Sequence, residues 1–258
     1  MSFYKKSHPT LLKKIFDRSK EWTNSILFKG DKVYCCVCES KFRKFKTFGW
    51  KKKKKPRCYK CRSFARHRLI WKYLNDNFEI QKEGFKILHF APEKKIFEIL
   101  NANHLIEYYP CDLNPDAFHY PNRQKISKVD ITNIPFESNY FDLILCNHVL
   151  EHVPEDKKAM AELFRVMKTN GFGIFQVPMD YSREMTYEDF SITNPKEREK
   201  EFGQFDHVRW YGRDYKTRLE KAGFVVDVNN FVNTFSKKDQ IKYGFDSSEL
   251  IYHCWKTI

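Results

Sequence analysis

The sequence predicts an α/β protein with a mostly parallel sheet and an N-terminal zinc ribbon. Three observations lead to this fold class. Short apolar runs alternate with amphipathic segments after residue 85, two C-x2-C pairs precede them, and charge is distributed unevenly along the chain. With 258 residues, 41% of them hydrophobic, the chain can bury a sizeable core. The same composition excludes collagen, coiled-coil and wholly disordered proteins.

The positive charge is concentrated in the N-terminal part of the chain. Positions 1–74 hold 23 basic and 4 acidic side chains, whereas positions 75–258 hold 24 basic and 29 acidic ones. Lys and Arg near phosphates release counterions, so this part favours an anionic partner such as RNA, DNA or a phosphorylated glycan. A solvated basic surface is the alternative. We expect a cytoplasmic protein that does not insert into a membrane, because long uncharged apolar runs and a signal-peptide block are missing from the sequence.

Five of the eight cysteines lie close together in this basic part, between positions 35 and 61. Two C-x2-C pairs, at positions 35–38 and 58–61, are typical of two knuckles that hold one zinc ion through four thiolates. The predicted zinc ligands are Cys35, Cys38, Cys58 and Cys61. Four thiolates leave no open coordination position, so the predicted zinc is structural. Cys36 is the spare cysteine, and a redox pair or simple burial is the alternative interpretation of the group.

Aromatic residues alternate with Lys and Arg between the two cysteine pairs. They are Phe42, Phe45, Phe48 and Trp50, and the lysine run 51–55 follows them. Two interpretations are open: the rings stack on nucleic-acid bases, or they form the small core of the ribbon. We expect the lysine run to be an exposed hairpin tip.

The elements after the ribbon follow from local patterns. A helix is expected over 63–78, where apolar residues recur at helical spacing. Further helices are expected over Lys157–Lys168, ending at Asn170-Gly171, and over Tyr215–Lys221, ending at Gly223. The candidate strands are Lys86–Phe90, Glu107–Cys111, Phe141–Asn147, Phe172–Val177, Phe224–Val232 and Leu250–Cys254. The expected domains are a basic helical segment (1–30), the zinc ribbon (31–64), a connecting helix (65–82) and an α/β domain (83–258).

The residues that follow the candidate strands carry the functional signal, because ligands of open α/β sheets bind at the carboxyl ends of strands. The most specific stretch begins at Asp130-Ile131 and continues through the strand 141–147 to the segment N-H-V-L-E-H-V at 147–153. This stretch resembles class I S-adenosylmethionine-dependent methyltransferases of the type 11 group, and the resemblance covers roughly residues 84–232. It implies a Rossmann-like, mostly parallel sheet of seven strands and S-adenosylmethionine as cofactor. It also implies that Asp112 binds the ribose hydroxyls, that Asp130 and Ile131 lie on the adenine side, and that Asn147 borders the cofactor.

The first motif of that family, an acid followed by a glycine-rich turn, has a different form in this chain. By position, His89 replaces the acid, Ala91 the first glycine and Glu93 the second. The turn H-F-A-P-E at 89–93 is similar to turns of bacterial methyltransferases that also bear an N-terminal pair of cysteine knuckles. The resemblance therefore implies a subfamily variant in which these three residues contact the cofactor. A helix beginning near Glu93 can present free N–H groups to it.

Methyl transfer requires in-line placement and, for poor nucleophiles, a base. Candidate catalytic residues are His148, Asp206 and His207; His152 is interpreted as a residue that caps or packs a short helix. The segment 201–212 is either a polar pocket wall or a buried lid on the sheet. The expected function is methyl transfer to an O or N atom, with RNA favoured as the acceptor. Two alternatives are open: methylation of a sugar or small metabolite, and a non-catalytic nucleic-acid-binding module.

Overall fold

A computed structural model describes residues 23–48, 55–118 and 122–257. Most of the predicted basic helical segment 1–30, Trp50 and the lysine run up to residue 54 lie outside these ranges. The chain forms two compact units. The first, which we call the cysteine unit, comprises residues 1–72 and 235–247, and the second, the sheet unit, comprises 73–234 and 248–258. The predicted domain boundaries remain predictions.

The cysteine unit is built from two β-hairpins and contains a segment from near the C-terminus. One hairpin pairs β1 with β2 and the other pairs β3 with β4, both antiparallel. A helix, α1, begins within this unit after the second cysteine pair. The elements are β1 Lys29–Cys35, β2 Ser40–Phe42, β3 Lys46–Phe48, β4 Lys55–Arg57 and α1 Ala65–Asn77.

Arg68 of α1 holds the C-terminal segment against the hairpins. The side chain is fully buried, and its guanidinium donates to the carbonyl oxygens of Tyr243 (2.7 Å) and Gly244 (2.8 Å). It also donates to the carbonyl of Ser63 (2.7 Å), which lies just after the second cysteine pair, and to that of Pro56 (3.3 Å). A planar group with five donors can join two chain segments in this way.

The sheet unit is organised around a seven-stranded sheet. Its strand order is β12-β13-β9-β8-β5-β6-β7. Five neighbouring strands run parallel, and β13 is antiparallel to both of its neighbours. The sheet strands are β5 Lys86–Phe90, β6 Glu107–Asp112, β7 Ser127–Lys128, β8 Phe141–Asn147, β9 Met167–Gln176, β12 Val225–Asn229 and β13 Ile251–Trp255. The seven-stranded, mostly parallel sheet predicted from the sequence is confirmed.

Helices and two short strands complete the fold. In the sheet unit they are α2 Lys94–Ala102, α3 Asp156–Val166, β10 Tyr187–Glu188, α4 Pro195–Phe202, β11 Arg209–Trp210 and α5 Tyr215–Lys221; in the cysteine unit, α6 is Lys237–Tyr243. The central strand β8 reads F-D-L-I-L-C-N and is almost wholly buried, as expected for a parallel strand covered on both faces. Met160, Leu163 and Val166 of α3 are fully buried in the same core.

Several predicted boundaries shift for identifiable reasons. The helix expected over 157–168 ends at Val166, because Met167 already pairs with Phe141 in the sheet. The strand expected to continue to residue 232 ends at Asn229, since a 3-10 turn covers Phe231–Thr234. The seventh strand, β7, was not among the candidate strands, because its two residues carry no apolar signal. Among the described residues, no helix combines the length and the apolar character needed to cross a membrane.

Candidate functional site

The four predicted zinc ligands come together in the cysteine unit. Cys35 ends β1, Cys38 lies in the turn of the first hairpin, and Cys58 and Cys61 follow β4. The Sγ atoms of all four lie within 4.8 Å of one another, and the pairs Cys35–Cys61 and Cys38–Cys58 are each 3.6 Å apart. Sulfurs bound tetrahedrally to one zinc at about 2.3 Å would lie about 3.8 Å apart. The four-cysteine cluster therefore fits a closed structural zinc site.

Cys36 lies apart from this cluster. Its Sγ donates to the carbonyl oxygen of Arg68 (3.4 Å), and burial raises the pKa of its thiol to about 12. A thiol with this environment is protonated at neutral pH and is a poor metal ligand. The prediction that Cys36 is the spare cysteine agrees with this geometry.

In the sheet unit, the three residues expected in the first motif lie in one hydrogen-bonded loop. His89 is fully buried near the end of β5, and Glu93 immediately precedes α2. Nε2 of His89 donates to Oε2 of Glu93 (2.9 Å), while Nδ1 accepts from the hydroxyl of Tyr108 (2.9 Å). Ala91 has a φ of 47°, the left-handed conformation that glycine adopts most easily. The chain thus retains the sharp turn of a glycine-rich loop and braces it with side chains.

Asn147 joins this loop to the central strand. It is the last residue of β8, is buried, and donates from Nδ2 to Oε1 of Glu93 (3.1 Å). Its Oδ1 is buried with no hydrogen-bond partner among the described residues. A buried acceptor without a donor is costly, so a bound ligand with an N–H or O–H group would satisfy it. This atom makes the carboxyl ends of β5 and β8 a candidate ligand site.

The two predicted acids, Asp112 and Asp130, lie at the carboxyl ends of the neighbouring parallel strands β6 and β7. Asp112 ends β6, accepts from the backbone N–H of Asn114 (2.7 Å) and is partly buried; burial raises its pKa above the usual value. Asp130 follows β7 and is exposed, and its Oδ1 accepts from the N–H and hydroxyl of Thr132 (2.8 Å each). Ile131 is buried in the core, so any ligand contact of this residue is through its backbone.

The predicted catalytic residues lie around Glu151, which was not among the predicted site residues. Glu151 lies in the 3-10 turn Leu150–His152 and is 1% exposed. Its Oε1 accepts from Nδ1 of His148 (3.2 Å) and lies 4.0 Å from Nε2 of both His152 and His207. Asp206 lies beside this group, with its carboxylate 3.6 Å from Nδ1 of His152. His148, Asp206 and His207 are therefore neighbours, and Glu151 is the group that they share.

The protonation of this cluster follows from its burial. Burial opposes ionisation of Glu151, but the hydrogen bond from His148 and the electrostatic interactions with His148 and His152 outweigh it and lower the pKa of the Glu151 carboxyl. Burial also lowers the pKa of His207, so its ring favours the neutral form. The cluster combines a buried carboxylate with at least one neutral imidazole.

Arg209 holds the turn that carries this cluster. It is 1% exposed and donates to the backbone carbonyls of Leu150 (2.8 Å), Pro154 (2.9 Å) and Val153. Its Nε also forms an ion pair with Glu188 (2.9 Å). The segment 201–212 is interpreted from the sequence either as a polar pocket wall or as a buried lid on the sheet. The burial of Arg209 supports the lid at this position. Arg209 positions the turn and does not line a polar pocket.

One protein family is similar to part of the chain. Residues 93–175 match the family of methyltransferase domains. The match begins at Glu93 and ends at Phe175, so it includes Asp112, Asp130 and Asn147. It covers about a third of the chain and agrees with the resemblance noted in the sequence.

Individual relatives of the chain are distant. An uncharacterised protein of Methanocaldococcus jannaschii is 42% identical over 65 residues, which is 24% of this chain and 28% of that protein. The chain therefore matches little more than a quarter of the length of this curated relative. A SAM-dependent methyltransferase from Archaeoglobus fulgidus is 15% identical with a TM-score of 0.47, and the similarity covers 72% of this chain and 91% of the other. For the 1,6-didemethyltoxoflavin-N1-methyltransferase of Burkholderia thailandensis, the identity is 15%, the TM-score 0.43, and the coverage 68% and 72%.

Proposed function

We propose that the whole chain uses S-adenosylmethionine to methylate an O or N atom of an acceptor. The unpartnered Oδ1 of Asn147, beside the braced loop of His89, Ala91 and Glu93, carries the proposal. It is an unsatisfied acceptor at the edge where ligands of this sheet topology bind. The residues at this edge fit the cofactor. The Asp112 carboxylate can accept from both ribose hydroxyls, and the N-terminus of α2 follows the turn.

The cofactor supplies a methyl group on a positively charged sulfur, so the protein has three tasks. It must bind the cofactor, align the acceptor and, for a weak nucleophile, accept a proton. Asp112, Asp130 and Asn147 are proposed to bind the cofactor. His148 is proposed as the base, because its Nδ1 donates to Glu151 while its Nε2 is buried without a hydrogen-bond partner among the described residues.

We further propose that the four-cysteine cluster holds one structural zinc. The spacing of the Sγ atoms supports tetrahedral binding. In this role the metal supports the hairpins and takes no part in methyl transfer.

RNA is the acceptor that we favour. The cysteine unit carries 26 basic and 6 acidic residues, a formal charge of +20. Its surface also combines charge with rings: Phe48 is 46% exposed and lies 5.6 Å from Phe64, and the Arg57 guanidinium lies 4.7 Å from the Phe48 ring. The Arg66 guanidinium lies 5.2 Å from the Phe64 ring. Such a surface suits stacked bases between phosphates. A sugar or small metabolite is the second candidate, with the charge then unrelated to the acceptor.

Cofactor binding is tested by calorimetry with S-adenosylhomocysteine on the zinc-loaded chain. We expect binding to the native protein, at least about tenfold weaker binding to Asp112→Asn, and no change in Asp31→Asn, an exposed control in the cysteine unit. Absence of binding to the native protein would support the non-catalytic alternative and refute the enzyme proposal.

The acceptor is tested with labelled S-adenosylmethionine and a lysate that lacks this protein. Label lost on nuclease treatment would support RNA or DNA, and label in the small-molecule or glycan fraction would support the second candidate. For RNA, affinity should fall steeply with salt, and Phe48→Ala should cost about 1–3 kcal/mol if the ring stacks on a base. Ile241→Ala, at another exposed apolar residue of the same unit, is the matched control.

A further inference from the structure

We infer that Glu151, His152 and His207 form a binding site for a divalent transition-metal ion beside the proposed cofactor site. Ligand atoms of these three residues lie within 4.8 Å of one another in the sheet unit. The inference rests on the proposed function for its role in catalysis. The site itself rests on geometry alone.

Both imidazoles are held through Nδ1 by a backbone carbonyl oxygen. Nδ1 of His207 lies 3.0 Å from the carbonyl oxygen of Phe202, and Nδ1 of His152 lies 3.3 Å from that of Asp206. A carbonyl oxygen can only accept, so in both rings Nδ1 carries the proton. In the neutral ring, Nε2 then presents a free lone pair. Histidines that bind metals are fixed in this way, with one nitrogen on the metal and the other donating to a carbonyl or carboxylate.

The Nε2 atoms of both imidazoles lie close to one carboxylate oxygen. Each lies 4.0 Å from Oε1 of Glu151. This distance is too long for a hydrogen bond. Three ligand atoms on one ion at about 2.1 Å would be roughly 3.0–3.4 Å apart, so binding would draw them together by about 1 Å. The two rings stand nearly perpendicular, with 4.8 Å between centroids.

One carboxylate oxygen of the buried Glu151 lacks a hydrogen-bond donor among the described residues. The carboxylate is 1% exposed, and Oε2 has no hydrogen-bond partner in the ranges that the structure describes. Within those ranges, the ion pairs of Glu151 are with histidines only, and the nearby Arg209 is directed to backbone carbonyls and other acids. A buried carboxylate in this state is costly, and a cation would compensate it.

Two imidazoles and one carboxylate suit Zn²⁺, Fe²⁺, Co²⁺ or Ni²⁺ better than Mg²⁺ or Ca²⁺. Three protein ligands also leave coordination positions open for an external oxygen. The turn that carries Glu151 follows Asn147, whose side chain contacts the cofactor loop through Glu93. The open positions are therefore proposed to bind the acceptor hydroxyl and lower its pKa.

The transfer step then balances without a further reagent. The acceptor O–H bond breaks, and the proton passes to Nε2 of His148 and then to water. The oxygen forms a bond to the methyl carbon as the carbon–sulfur bond breaks. The electron pair of that bond returns to sulfur, which leaves neutral S-adenosylhomocysteine.

The test is equilibrium dialysis of the zinc-loaded full chain against Co²⁺, with bound cobalt and zinc counted and the visible spectrum recorded. We expect one Co²⁺ per chain with a nitrogen and oxygen spectrum, while zinc stays on the thiolates. Glu151→Gln and His152→Ala should each weaken this binding by more than the roughly 10- to 100-fold that changes in outer-shell partners cost. His104→Ala, at an exposed histidine of the same unit, should leave it unchanged.

Two controls separate the possible failures. Unchanged S-adenosylhomocysteine binding in His152→Ala would show that the variant is folded. Equal Co²⁺ binding in native protein, Glu151→Gln and His152→Ala would overturn the site, and so would the absence of nitrogen- and oxygen-bound Co²⁺ in the native protein. If Co²⁺ binds as expected but S-adenosylhomocysteine does not, the cation site stands and the proposed function falls.

Discussion

Replacing Arg68 should release the segment 235–247 from the rest of the cysteine unit. In Arg68→Met, the carbonyl oxygens of Ser63, Tyr243 and Gly244 each lose a donor that lies 2.7–2.8 Å away. The variant also loses the contact of the guanidinium with the Phe45 ring, which is 4.0 Å to the ring centroid. A charged hydrogen bond contributes about 1.5–3 kcal/mol, and the terms are not additive. Three such bonds, counted as less than additive, give an expected loss of about 3–5 kcal/mol for this unit.

Hydrogen exchange on the zinc-loaded chain measures this loss locally, which matters because a chain with two units need not unfold in one step. At about 1.4 kcal/mol per factor of ten, amides in 235–247 should lose between about a hundredfold and a few thousandfold of their protection. The amides of Gly244 and Phe245, which donate to Ile241 and Gln240, are suitable reporters.

Two further variants define the outcome. Arg66→Met, on the same helix but partly exposed, should change the protection by less than about 0.5 kcal/mol. Arg68→Lys keeps the charge but lacks the planar set of donors, so it should recover only part of the loss. A change below about tenfold in Arg68→Met would show that the carbonyls find other donors and that Arg68 does not hold the segment.

Three other predictions follow from the same contacts. Cys58→Ser should abolish stoichiometric zinc in metal analysis and unfold the cysteine unit; retained zinc would contradict the four-thiolate site. Asn147→Asp places a second carboxylate about 3 Å from Glu93, so S-adenosylhomocysteine binding measured by calorimetry at neutral pH should weaken at least about tenfold; unchanged affinity would remove Asn147 from the cofactor site. Arg209→Met should cost about 3–5 kcal/mol in denaturant unfolding of the sheet unit, and a loss below about 1 kcal/mol would show that the site turn is held by other contacts.

The sheet was predictable because its strands carry strong local signals. The runs Lys86–Phe90 and Phe141–Asn147 have the predicted boundaries, since strands buried on both faces are nearly continuous apolar runs. The strand β7 has only Ser127 and Lys128, and its place in the sheet depends on pairing with β6. Tertiary pairing of this kind has no local sequence pattern.

The site was only partly predictable for the same reason. The four cysteines were found because their spacing alone specifies a cluster, and the structure brings them together. Glu151 was missed because an acid in a short polar turn resembles many surface residues. Only the fold shows that it is 1% exposed and that His207, from a distant segment, lies 4.0 Å away. The one local signal was its position between His148 and His152, three residues after the first and directly before the second.

The two buried arginines solve the same physical problem in the two units. Each functional loop, the second cysteine pair and the turn of Glu151, has backbone carbonyls that accept hydrogen bonds from a buried guanidinium. Arg68 donates to Ser63 beside the cysteines, and Arg209 donates to Leu150 and Pro154 around Glu151. A guanidinium can satisfy several carbonyls at once while remaining charged. Loops fixed in this way need no regular secondary structure, so their side chains are free to serve as ligands while the backbone stays in place.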